Sequence, residues 1–179
     1  PALAGEPLLI ERTGLAPGGY LHLRQFIDAA LTPDDGFSSL SDATVLFKDA
    51  SVTDLIIDLR YNSGGLLSVA DNMMDLLAGV TASGEPSFKT QANDQHPDFN
   101  EDEDKWGLFD ELPETFSPIR IAFITSRSTA SASELIINGL DPHIEVVMVG
   151  GNTFGKQVAQ GRWDMHEDIE GLERQDCDV

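Results

Sequence analysis

Two hydrophobic periods alternate along the chain. Leu8–Arg12 (LLIER) and Tyr20–Leu23 (YLHL) read as short strands around a turn at Ala16–Gly19 (APGG). After a loop at Pro33–Gly36, residues Phe37, Leu40, Ala43, Thr44, Leu46 and Phe47 recur at helical spacing. Asp54–Leu59 (DLIIDL) is a compact apolar run of the kind buried in a parallel sheet, and Tyr61–Gly65 (YNSGG) breaks it. Leu66 to Leu77 predicts an amphipathic helix whose apolar face holds Leu66, Val69, Ala70, Met73, Met74 and Leu77. The methionine pair fits core filling. Residues 81–118 are a long polar stretch with an acidic run at 100–104, predicting a lid, a binding loop or a disordered insertion. The pattern then resumes: a strand over Ile119–Thr125, a helix over Ala130–Leu140, and a strand over Ile144–Val149 that ends at Gly150-Gly151.

Strands alternating with helices predict an α/β fold, a parallel sheet with crossover helices. The 179 residues suffice for one domain with a sizeable core, and no internal repeat is visible. Composition changes this picture little. No apolar run approaches the roughly 18 residues of a membrane span. Charge changes it more: the formal net charge is −20, and such a surface repels phosphate backbones, which argues against nucleic acid as a partner. Cys177 is the only cysteine and has no partner for an internal disulfide.

Chemistry gathers where buried strands meet helices. Two such junctions stand out, Arg60–Gly65 and Ser126–Ser131, each offering backbone N–H groups at a helix start. The second, with the two residues after it, contains four serines, Ser126, Ser128, Ser131 and Ser133. A serine nucleophile needs a base. His22, His96, His143 and His166 carry no recognisable signature. Of the four lysines, Lys48, Lys89 and Lys105 fall at polar positions, while Lys156 sits in a glycine-bearing loop straight after a buried strand. A lysine there serves equally well as a surface residue or, in an apolar pocket that lowers its pKa, as a general base.

Three blocks resemble those of the tail-specific, or C-terminal processing, serine peptidases (peptidase family S41). They are Asp54–Leu67 (DLIIDLRYNSGGLL), Ser128–Glu134 (STASASE) and Gly150–Gln160 (GGNTFGKQVAQ), and they occur in the family's order. The likeness runs from about Tyr20 to Trp163, with Ser131 and Lys156 separated by 25 residues.

The resemblance implies a crotonase/Clp-protease-like core and a serine endopeptidase acting on polypeptides, near apolar C-termini. It implies Ser131 as nucleophile, Lys156 as its base and Gln160 as the residue orienting the lysine. The N–H of Ala132, with that of Gly64 or Gly65, would form the oxyanion hole. Asp58, Arg60 and Asn62 would fix the glycine loop, Ser128 and Ser133 would support the helix cap, and Glu134 would face the helix dipole. No metal or organic cofactor is implied. The location implied is the bacterial cell envelope, periplasmic or lipoprotein-anchored, or outside the cell. The alternative is a catalytically silent hydrophobic-ligand-binding or scaffold module of the same fold. Gln157 departs from the family's small residue. Beyond Gln160 the family continues in strands, whereas this chain passes quickly to an acidic tail at 164–179, which leads to the expectation of either a truncated chain or a missing segment, with the join near Met165 and His166. No PDZ domain is recognisable. The expectation is therefore a single S41-type core over 1–179, with 81–118 as insertion or lid.

Overall fold

The computed structural model describes residues 5–27, 36–91 and 106–159, with the side chains of 36–39 and 106 left out. In chain order the elements are β1 (Leu8–Ile10), β2 (Gly18–His22), α1 (Gly36–Asp49), β3 (Asp54–Asp58), α2 (Leu67–Ala82), β4 (Pro86–Lys89), β5 (Trp106–Leu108), β6 (Arg120–Thr125), α3 (Ala132–Leu140) and β7 (Glu145–Gly150). Five strands form one sheet in the order β1-β2-β3-β6-β7. β1 runs antiparallel to β2, and every other neighbouring pair is parallel. The fold is α/β, as the strand–helix alternation predicts.

From β2 to β7 the strand order never reverses. With the usual right-handed crossover, each connecting helix then falls on the same face of the sheet. Leu21, Leu55, Ile57, Ile121 and Phe123 are buried on that face, in one core with Phe47, Met74 and Ile136 of the helices. The opposite face, with Tyr20, Ile56, Ala122 and Ile124, is only half-buried.

Three differences from the sequence reading have physical causes. Gly18 and Gly19 belong to β2 rather than to a turn: a Cβ on Gly19 would sit 2.9 Å from Leu55 Cδ1 and 3.0 Å from Phe47, so glycine admits α1 against the strand. α2 runs on past Leu77 to Ala82, because Ala78, Gly79 and Ala82 continue its buried face. The polar stretch is also more structured than expected. β4 and β5 pair antiparallel, Phe109 and Phe116 enter the core, and the Phe116 N–H donates to Leu76 C=O at 2.7 Å. Residues 92–105, with the acidic run, His96 and Lys105, lie outside the described residues, as does the tail at 164–179.

Candidate active site

The C-terminal ends of β3 and β6 are neighbours, so the two junctions meet in space. Leaving β3, Asp58 is buried, and the exposed Arg60 grips it through Nε at 3.0 and 3.1 Å and through Nη2 at 2.6 Å. Tyr20 Oη donates to the same carboxylate at 2.9 Å. Burial alone would raise this carboxyl, but the hydrogen bonds from Arg60 and Tyr20 hold it down at about 2.

Asn62 follows, fully buried. Its Nδ2 donates to Leu23 C=O at 3.2 Å and its Oδ1 accepts the Gly64 N–H at 2.9 Å. Its carbonyl accepts the Ala130 N–H (3.2 Å) and Ser133 Oγ (3.1 Å), which stitches the first junction to the second. Gly64 has φ 102° and Gly65 φ 147°, conformations open to glycine. The need is also steric: a Cβ on Gly64 would lie 2.7 Å from Ser131 Cβ and 2.8 Å from Ala130 O, and one on Gly65 would overlap the Phe26 carbonyl. Phe26 bridges Gly65 in parallel register, with Phe26 N–H donating to Gly64 C=O and Leu66 N–H to Phe26 C=O. In such a bridge the middle residue, Gly65, turns its own N–H away from the partner segment.

The second junction is fastened from below. Thr129 is buried; its Oγ1 donates to Leu59 C=O at 2.8 Å and accepts the Ser126 N–H at 3.0 Å. Ser126 Oγ donates to the Arg60 carbonyl and accepts the Ser128 N–H, consistent with a turn role. Ser133 bonds Asn62 instead of capping the helix. Ser131 differs from its neighbours: it is a non-glycine residue at φ 58°, ψ −121°, immediately before α3. Such a conformation costs about 1–3 kcal/mol and persists only where the surroundings impose it. A serine on a strained strand-to-helix turn is the arrangement that exposes a nucleophilic Oγ in the α/β-hydrolase fold. Here it faces Gly64 and precedes Ala132, whose N–H opens α3. Among the described residues, the Gly65 and Ala132 amides have no acceptor, whereas the Gly64 amide is taken by Asn62.

The lysine loop leaves β7 beside this junction. Gly151 exchanges bonds with Thr125, its N–H donating to Thr125 C=O and its carbonyl accepting Thr125 Oγ1. Phe154 N–H donates to Thr129 C=O at 2.9 Å. A cavity of about 400 Å³ is lined by Ser63, Arg127, Ser128, Ala130, Phe154 and Lys156. The Glu134 carboxylate reaches both loops, accepting N–H groups of Ser131, Gly155 and Lys156. The sequence reading saw Glu134 only as a dipole partner; its spacing from Ser131 was visible, the approach of the lysine loop was not.

The remaining candidates separate cleanly. His143 packs edge-on against Phe109, with ring centroids 4.9 Å apart, and His22 lies on β2 in register with Asp58. Gln160, assigned to orient the lysine, lies outside the described residues, with His166. Among the described residues, no cluster of three or more His, Cys, Asp or Glu side chains is placed to hold a metal ion, and no helix is long and apolar enough to cross a membrane.

Comparison with known proteins follows this geometry. The chain is 28% identical over 142 residues to the carboxy-terminal-processing protease of Bartonella bacilliformis, covering 79% of this chain and 30% of that protein. It is 27% identical over 154 residues to the chloroplastic carboxyl-terminal-processing peptidase 1 of Arabidopsis thaliana, covering 86% of this chain and 28% of that one. It thus spans under a third of the length of either relative. An S41-family structure from Bacteroides fragilis superimposes with TM-score 0.77 at 23% identity, over 93% of this chain and 43% of that one. The photosystem II D1 C-terminal processing protease superimposes with TM-score 0.56 at 20% identity, over 85% of this chain and 38% of that one. A family model for peptidase family S41 matches residues 18–173, so this chain belongs to peptidase family S41.

Proposed function

We propose that the chain carries the catalytic core of a serine endopeptidase that cleaves polypeptides through an acyl-enzyme. The observation that carries this reading is Ser131, held at positive φ at the β6–α3 junction, facing Gly64 and joined through one carboxylate to the loop of Lys156. Lys156 Nζ accepts the Ser131 Oγ proton as the oxygen adds to the substrate carbonyl. The N–H groups of Ala132 and Gly65 receive the developing oxyanion, since the Gly64 amide is engaged by Asn62. Collapse expels the amine, which takes the proton back from the lysine, and water then hydrolyses the ester by the same relay. The family resemblance implies Gln160 as the residue orienting the lysine. The names of the relatives favour processing near a C-terminus.

The test is cleavage of casein followed by mass spectrometry, comparing the protein with Ser131→Ala from the same preparation. Fragments should fall by about 10⁴-fold or more in the variant. Equal fragmentation would remove Ser131 from the mechanism. Silence in both folded proteins would favour a catalytically silent module.

A further inference from the structure

A helix-dipole or capping role accounts for one of the three backbone donors around the Glu134 carboxylate. Its Oε2 accepts the Ser131 N–H at 2.9 Å, the bond expected of a carboxylate in a first helical turn. The other donors belong to a loop about 20 residues further on. The same Oε2 accepts the Lys156 N–H at 2.9 Å, and Oε1 accepts the Gly155 N–H at 2.6 Å. Ser131 and Lys156 therefore share one oxygen. Their amide nitrogens lie no farther apart than two hydrogen-bond lengths, within the span of a lysine's four-carbon stem.

The other ties between the two loops stop short of the lysine. Gly151 and Phe154 are tied to Thr125 and Thr129, but beyond Phe154 residues 155–159 make no other hydrogen bond within the described structure. Phe154 and Val158, on either side of the lysine, are 64% and 66% exposed, so apolar packing does not hold the segment. An ionised carboxylate suits the task, because it accepts on both oxygens and donates on neither. Burial works against that ionisation, but the bonds from Thr153, Gly155, Ser131 and Lys156 outweigh it and hold the carboxyl below its usual range.

We propose that Glu134 is the positioning residue that sets the catalytic lysine against the nucleophile: its carboxylate holds Lys156 and Ser131 in register through their backbone N–H groups. This rests on the peptidase reading above. It assigns Glu134 no contact with substrate and no proton to carry.

Glu134→Ala and Glu134→Gln test it, with two independent readouts. Amide hydrogen exchange at Gly155 and Lys156 should quicken by about tenfold or more in Glu134→Ala, while exchange in β3 and β6 stays as in the wild type. Peptide turnover should lose about 10²-fold in kcat with KM within about twofold, the signature of misplaced machinery rather than lost binding. Glu134→Gln, which keeps one acceptor oxygen, should fall between wild type and Ala in both readouts. Unchanged exchange at 155 and 156 would overturn the proposal whatever the activity. So would quickened exchange with unchanged kcat. If the wild type and Ser131→Ala cleave alike, the peptidase reading fails by itself, and the exchange arm still decides whether Glu134 holds the two loops together.

Discussion

The loop that carries Ser131 and the loop that carries Lys156 lie side by side and are built oppositely. Between Ser126 and Ser133, hydroxyls and amides are pinned to the β3 exit at Leu59, Arg60 and Asn62, and Thr129, Ala130, Ala132 and Ser133 are buried. Between Gly151 and Ala159 the chain is mostly exposed and hangs on a few bonds to Thr125, Thr129 and Glu134. Ser131 sits in a frame tied to the β3 exit, and Lys156 lies on a loop with few ties to that frame. Damage to the first loop should therefore show as lost stability, and damage to the second as lost turnover in a protein that still folds.

The sharpest break is Gly65→Ala. The new Cβ would overlap the Phe26 carbonyl at a φ that suits glycine, so the Phe26 bridge must open. The expected loss is about 3 kcal/mol or more, measured by thermal or urea unfolding. A melt within a few degrees of wild type would show that the bridge is dispensable. Asn62→Ala comes next. It strands the Gly64 N–H and the Leu23 carbonyl in the interior, at about 1–3 kcal/mol for each group. Turnover should fall with stability, because the glycine loop faces Ser131.

Lys156→Met sharpens the comparison from the other side. The lysine lines the cavity, and no ion pair to it occurs among the described residues. The midpoint of unfolding should move by no more than about 0.5 kcal/mol, as at ordinary surface positions. Peptide cleavage should drop by about 10³-fold or more. A variant that unfolds early would show that the lysine loop belongs to the frame after all.

The same asymmetry decides what was legible in the sequence. β3 and β6 announce themselves as compact apolar runs bounded by turn residues, because a strand covered by helices needs little else; β7 has the same apolar run and reads as buried, yet it lies at the sheet edge with Val147, Met148 and Val149 exposed. Elements resting on small residues or distant pairing do not announce themselves. Gly18-Gly19 reads as a turn until Phe47 is seen lying on Gly19. The last turn of α2 depends on Ala78, Gly79 and Ala82, whose weak hydropathy hides a tight approach of the Asp110 backbone. β4 and β5 pair across a long interval that no local period reveals. At the site, residue types and spacing pointed to Ser131 and Lys156, but Gly64 and Gly65 were interchangeable until Asn62 was seen holding the Gly64 amide. The positive φ of Ser131 and the reach of Glu134 to Lys156 belong to the meeting of two loops, which a linear pattern does not contain.

The smallest effect expected lies away from both loops and separates their pH behaviour from that of the scaffold. Asp75 on α2 is nearly buried and accepts the Asp110 N–H at 2.9 Å. Burial pushes its carboxyl up to about 6; the hydrogen bond from the Asp110 N–H takes part of that rise back, and the charges of Asp71 and Asp110 add to it. A carboxyl raised in the folded state makes a contribution fully present below its unfolded value of 3.8, and lost as pH rises through about 6. Stability should therefore decline across that window. Asp75→Asn keeps an oxygen for the Asp110 amide and cannot ionise, so its unfolding midpoint should match wild type near pH 4 and exceed it at pH 7. The pH profile of peptide cleavage should stay where it was, since Asp75 touches neither loop. If the stability curves of the two proteins run parallel from pH 4 to pH 7, burial of this carboxylate is not what the scaffold feels. If the cleavage profile moves with them, the frame and the lysine loop are coupled through α2.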